Sequence, residues 1–495
     1  MTMKKILLFT AVVGLVALSS CDLDINDNPN FPSPNDVTVD LMFPSVENFV
    51  ADAVGDQMFN YAGFFSQYFE QMPEANQYND IAELHLDEGS NLFDRCYRNL
   101  YAGALQDIED ILSRDDNTSD IFACKVIRAY AFQLLVDNLD QAPYTEALQG
   151  SANSQPKWDL GKDIFAGILQ ELDEAESNLS GQVMGLTDPM LNKNMDQWKG
   201  FANALRLRIY VRMIAAGVDA AGYQSKAVAL VKANKFFTGD ITWDVYSNSE
   251  GQYNPWYQAN YKRLAANIVA AYPIVSYYKT TNDPRIAYAI APNEDAGEYV
   301  GQIPGGKVPT KTWNGDWKNK DVSAIKGAPA LFMPIYLFTQ SELQFLIAEI
   351  QLKYGNNASA AKEAYEAAVK ADFASRGVAG ADAFLAGNLV NWDKASDKAK
   401  LIGMQKWAAL FYRNHMEAWS EIRRTDIPAT SAKSGKDIFT DPTVYTAGDM
   451  IVPATNHIEA GGLCKRVPYP QNARQLNVNT PPAKLLSDRV FWDAK

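Results

Sequence analysis

The chain has 495 residues, 47% hydrophobic and 21% charged, with 30 Gly and 23 Pro, a profile that excludes a disordered tail, a collagen and a small cystine-stapled module. At roughly 100–200 residues per domain, that is ample chain to bury a large core. Its 45 Lys+Arg against 59 Asp+Glu leave a net charge of −14. No basic block interrupts this sign, and a chain so charged repels phosphate backbones, which excludes nucleic acid as a partner.

Residues 1–20 read as a signal peptide. Lys4 and Lys5 form a short basic head, and residues 6–18 form an apolar run too short to cross a hydrocarbon core of about 30 Å as a helix. Leu18-Ser19-Ser20-Cys21 then resembles a bacterial lipobox, in which the cysteine becomes the acylated first residue of the mature protein. Several acyl tails on Cys21 would tether the chain to a membrane through the anchor alone, since no later run of eighteen apolar residues occurs. Without the leader the net charge is −16. Residues 21–40, opening Cys-Asp-Leu-Asp-Ile-Asn-Asp-Asn-Pro, read as a lipidated N-terminus and extended linker.

From about Phe43 the apolar spacing is helical. Leu100, Leu105, Ile108 and Ile111 mark one amphipathic segment, and Ile121, Ile127, Tyr130 and Leu134 the next. Further segments fall near 158–179, 196–216, 222–233, 340–354, 358–374 and 397–423. Ser341–Tyr354, the turn Gly355-Asn356-Asn357, and Ala361, Tyr365 and Ala368 have the spacing of a tetratricopeptide-type hairpin. The expectation is an all-α protein, an irregular stack of such hairpins with minor β structure. Residues 41–236 would be helical, 237–335 an irregular, aromatic-rich ligand-binding insertion, and 336–495 a helical part with an irregular tail, all in one compact domain.

Little in the chain carries covalent chemistry. His85, His415 and His457 lack zinc-site spacing. Asp22-x-Asp24-x-Asn26 opens like a calcium loop but has Asp27 where Gly is needed and Ser33 where Glu is needed. Gly301–Lys307 imitates a phosphate loop, yet Val308 and Pro309 follow. No cofactor and no metal site is expected. Cys96, Cys124 and Cys464 permit at most one disulfide, and the helical setting of Cys96 and Cys124 points to buried free thiols.

Several segments resemble one family. Asn138–Leu148 (NLDQAPYTEAL), Trp198–Arg208 (WKGFANALRLR) and Gln340–Glu349 (QSELQFLIAE) match its motifs, as do Gln405-Lys406-Trp407, Glu417–Thr425 with Pro428, and Arg466–Pro470 before Asn477. In this order they resemble the SusD/RagB family of nutrient-binding outer-membrane lipoproteins. The resemblance implies a non-catalytic protein, lipid-anchored in the outer membrane and facing the cell exterior. It would sit over a SusC-like TonB-dependent transporter and pass it an oligosaccharide or, in some members, a peptide. Asn203, Arg206, Arg208, Arg423 and Arg424 read as buried forks that tie helix ends to carbonyls and carboxylates.

Sugars present apolar C–H faces beside hydroxyls, so their sites need aromatic platforms edged by amides and charges. Trp243, Tyr246, Tyr253, Trp256, Tyr257, Trp313, Asn314 and Trp317 have that composition. Tyr78, with Asn76, Gln77 and Asn79 around it, and Tyr97 form a second set. Trp158, Trp198, Trp407 and Trp419 read as helix-borne core anchors. The rival readings are a peptide binder of the same family, a tetratricopeptide-like assembly scaffold, and a lipid-anchored glycoside hydrolase.

Overall fold

Six of the long helices begin where a short polar side chain accepts from the first free N–H groups. The computed structural model describes residues 37–87, 89–264, 266–305, 317–459 and 461–493. In it α1 is Val39–Ala53, α2 Thr118–Leu139, α3 Gly161–Ser177, α4 Met195–Ala215 and α5 Ala220–Ala233. Toward the C-terminus α6 is Gln340–Lys353, α7 Ala358–Ser375, α8 Lys398–Leu410 and α9 His415–Thr425. The side chains of Asn117, Asn194, Thr339, Asn357, Asp397 and Asn414 cap α2, α4, α6, α7, α8 and α9 in turn. The signal peptide, Cys21, Trp313 and Asn314 lie outside the described residues.

The helix-rich architecture is as the periodicity predicts, with three local corrections. The segment near 397–423 is two helices, because Tyr412 takes a left-handed φ of 60° and Asn414 caps a fresh start. Helix α1 begins at Val39, inside the stretch read as linker. It also contains Pro44; the missing N–H leaves the Asp40 carbonyl open, and Thr187 N–H donates to it at 2.9 Å. Trp158 precedes a strand and is half-buried, whereas Trp198, Trp407 and Trp419 are core residues on helices.

Helices α6 and α7 form the hairpin expected from Ala361, Tyr365 and Ala368. Ser341 Oγ donates to the Ala368 carbonyl at 2.8 Å, and the Phe345 and Tyr365 rings lie 6.2 Å apart. Strand pairs pin the irregular tract to this frame. β1 (Phe69–Gln71) pairs antiparallel with β5 (Ile268–Ala270), β2 (Gln141–Ala142) with β3 (Asp159–Leu160), and β4 (Ile241–Trp243) with β6 (Ile335–Phe338). Cys96, Cys124 and Cys464 are buried free thiols.

The family-like motifs converge on helix ends, as their arginines imply. The last carbonyls of α2 lack intrahelical donors; Arg423 Nη1 donates to Asp137 O at 2.7 Å and Arg466 Nη2 to Leu139 O at 2.5 Å. Arg424 forks onto Glu349 and Glu421, at 2.5 and 2.7 Å, and not onto Asp426. Arg206 lies against Asp173 and Glu176. Gly200 sits where α4 runs against the chain at Phe236 and Phe237: a Cβ there would fall 2.2 Å from Phe237 N. Gly200→Ala should therefore lower the chemical-denaturation stability by about 1–3 kcal/mol, although alanine is the better helix former. A neutral or stabilising result would refute the close approach.

Candidate functional site

Two π-helical turns face each other across a cleft of about 190 Å³. The first, Val54–Met58, joins α1 to the helix Phe59–Phe65 and carries Asp56 and Gln57. The second, Gln258–Arg263, follows the short helix Pro255–Tyr257 and carries Ala259 and Asn260. Such turns re-aim side chains that an ideal helix would place elsewhere, and they recur at functional sites. Asn60, Tyr61, Tyr78, Ile81, Asn91 and Leu92 complete the lining.

The polar groups are organised from outside the cleft. Tyr78 OH donates to Asn260 Oδ1 at 2.5 Å, and Asn260 Nδ2 donates to Trp256 O at 3.0 Å. Trp256 Nε1 donates to Asn60 Oδ1 at 3.2 Å, which leaves the Asn60 amide N–H groups for a ligand. Arg95 bridges Asp52 and Asp56, at 2.9 and 2.6 Å. Burial pushes the Asp56 carboxyl up to about 6 against the pull of Arg95. Burial, with Asp56 nearby, pushes the Tyr78 phenol up to about 12, so it stays a donor at neutral pH.

The residues singled out by composition divide. Tyr78 lines the cleft itself. Tyr246 is half-buried, and burial with the charges of Asp52 and Asp56 raises its phenol. Tyr253, Tyr257 and Tyr261 form a half-buried ladder on the adjoining surface, with ring centroids 5.7 Å apart for the first pair and 5.3 Å for the second. Lys262 Nζ lies 4.6 Å over Tyr253. Trp256 is fully buried against Phe59, Phe69 and Tyr412. It and the buried Trp243 in β4 are therefore core residues and not ligand platforms, because both face the helical frame. Trp317 is half-buried and packs on Phe439 at 6.1 Å. Its neighbours Lys318 and Asn319 bind Glu74, which brings that loop beside the one bearing Tyr78.

Tyr97 stands apart. It belongs to a cluster with Tyr101 at 4.6 Å and Trp158 at 6.4 Å, away from the cleft lining. Sequence reading missed Gln57, Asn60, Asn91 and Asn260. Their available signal was faint: a polar Asn60 among Phe59, Tyr61, Phe64 and Phe65, and Gly55, whose Cβ would strike Ile335 at 2.3 Å. Among the described residues no three His, Cys, Asp or Glu side chains converge as a metal centre would. No described helix is long and apolar enough to cross a membrane.

Comparison with known proteins agrees with the fold. The family model that matches, SusD-like, is described as "Starch-binding associating with outer membrane" and takes in residues 33–441. Among similar solved structures is a chitin-binding SusD homologue from Flavobacterium johnsoniae, with 20% identity and a TM-score of 0.72, covering 92% of this chain and 99% of that one. Another is a SusD homologue from Bacteroides uniformis, with 21% identity, a TM-score of 0.67 and coverage of 92% and 100%. A third, from Bacteroides thetaiotaomicron, has 19% identity, a TM-score of 0.69 and coverage of 93% and 99%. No curated protein matches the chain. These likenesses carry the fold, and the family match carries membership: the chain belongs to the SusD-like family of non-catalytic binding proteins associated with the outer membrane.

Proposed function

We propose that this protein is a surface lipoprotein, acylated at Cys21, that binds an oligosaccharide and hands it to a partner TonB-dependent transporter in the outer membrane. The observation that carries the glycan reading is the Tyr78 ring set on an amide-lined cleft of about 190 Å³. An aromatic face meets the C–H face of a sugar, while Asn60, Asn91 and Gln57 reach its hydroxyl or acetamido groups. The ladder Tyr253–Tyr257–Tyr261 offers a continuation for further rings. The family's starch-binding description and the chitin-binding relative from Flavobacterium johnsoniae make malto- and chito-oligosaccharides the probes of choice.

Isothermal titration of Tyr78→Ala against those two series should show binding weakened by about threefold to tenfold, the worth of one lost ring contact. Tyr97→Ala should leave it unchanged. Undiminished binding by Tyr78→Ala, or a larger loss in Tyr97→Ala, would remove the cleft from the reading.

A further inference from the structure

Another cavity in the described structure, of about 730 Å³, lies elsewhere. It is within the range of about 300–1,000 Å³ that encloses small ligands. One wall comprises residues 84–87 and 457–459, the other Pro468, Tyr469, Arg474 and residues 483–487. The first wall is held together by main chain and imidazoles. His457 N donates to Glu83 O at 3.0 Å, and the His85 and His457 ring centroids lie 4.3 Å apart with their planes tilted by 31°. Each ring also meets a carboxylate: His85 faces Asp80 at 3.4 Å and His457 faces Glu83 at 3.5 Å. The second wall is tied by Arg474 Nε, which donates to Tyr469 O at 3.0 Å.

Three features define what could enter. The floor is aliphatic, formed by Leu84, Ile458, Pro468 and Leu486, with Leu485 65% exposed at the mouth. The first wall bears exposed Asp87 and Glu459, and the second bears exposed Lys484. Flat aromatic surface is scarce, because the imidazoles turn a face to each other and Tyr469 is only 3% exposed. The cavity therefore differs in chemistry from the amide cleft. It is bipolar, aliphatic and poor in stacking platforms.

We propose that this cavity is a second binding site, for a short free peptide with aliphatic side chains. The acidic wall would receive the terminal ammonium, the basic wall the terminal carboxylate, and the leucine floor the side chains. At about 3.3–3.6 Å per extended residue, three residues span about 10 Å, a length suited to a cleft of this volume. A glycan has neither terminal charge nor aliphatic side chains, so it should not compete.

The test is titration of the full mature chain with unblocked Leu-Leu-Leu and with the same tripeptide N-acetylated and C-amidated. The unblocked peptide should bind saturably at up to millimolar concentration, and blocking both ends should weaken it by about tenfold. Lys484→Glu and Glu459→Lys should each weaken it by about fivefold; both positions are exposed, so an unchanged melting curve verifies folding. Tyr78→Ala should leave tripeptide binding intact, which separates this site from the proposed glycan cleft. The proposal is overturned if the free tripeptide does not bind, if the blocked form binds equally well, if neither charge reversal matters, or if a chito- or malto-oligosaccharide displaces the peptide.

Discussion

Arg208→Met should lower the stability of the protein by about 3–5 kcal/mol, even though methionine keeps most of the packing volume. The Arg208 guanidinium is fully buried. It contacts Glu342 at 2.7 Å and Glu417 at 3.3 Å, donates to Gln133 Oε1 at 3.2 Å, and lies 3.9 Å over the Phe338 ring. Its removal leaves Glu342 with only the charge of Lys406 nearby, and Glu417 with Arg212, which contacts it at 2.7 Å and Asp137 at 3.2 Å. Burial already pushes Glu342 up to about 7 with Arg208 in place, so loss of the cation raises it further. An acid raised on folding adds stability in full below its unfolded value of 4.5 and loses it as pH climbs through the folded value. The deficit of the variant should accordingly be larger at pH 8 than at pH 5. Urea unfolding at the two pH values measures this, and Glu342→Gln added to the variant should recover part of the loss. A deficit independent of pH would mean that the network acts through packing alone.

Glu47→Gln, by contrast, should stabilise. Glu47 is fully buried in α1, beside the Asp188 carboxylate and the Met190 main-chain N–H. Asp188 has its own donors, Leu191 N, Lys193 N and Trp198 Nε1, each at 2.8 Å. Burial, followed by the Asp188 charge, raises the Glu47 carboxyl from 4.5 to about 11. It is therefore a neutral acid at pH 7. Its contribution is complete below pH 4.5 and declines as pH rises toward 11, at about 1.4 kcal/mol per pH unit. Glutamine has no proton to retain, so the gain at pH 7 should be about 3 kcal/mol. The stability of wild type should fall between pH 5 and pH 9 more steeply than that of the variant. Equal slopes would refute the protonated pair.

The two charge predictions also show what could be read in advance. Arg208, Arg423 and Arg424 stood out in the chain as residues whose helical positions and motif context demanded partners, and the structure supplies carbonyls and carboxylates. The identity of those partners was not legible. Glu349 and Asp137 are remote in sequence from Arg424 and Arg423, and nothing local marks Glu47 as an acid that must keep its proton.

The binding residues divide in the same way. Trp243 and Trp256 have the composition of a sugar platform, yet strand pairing and the ring cluster around Phe59 turn both inward. Tyr78 has the same composition and is left at the mouth of the cleft. Whether an aromatic is platform or core depends on which face the rest of the fold covers, and periodicity does not carry that information in an irregular tract.

Helix positions, acidic charge, the leader pattern and the ordered family motifs followed from sequence alone, because each depends on residues within a few turns of one another. The amide-lined cleft, the bipolar cavity at the C-terminal tail and the buried Glu47–Asp188 contact required the tertiary structure. Each is made by segments tens to hundreds of residues apart, and only packing decides their distance, their exposure and hence their chemistry.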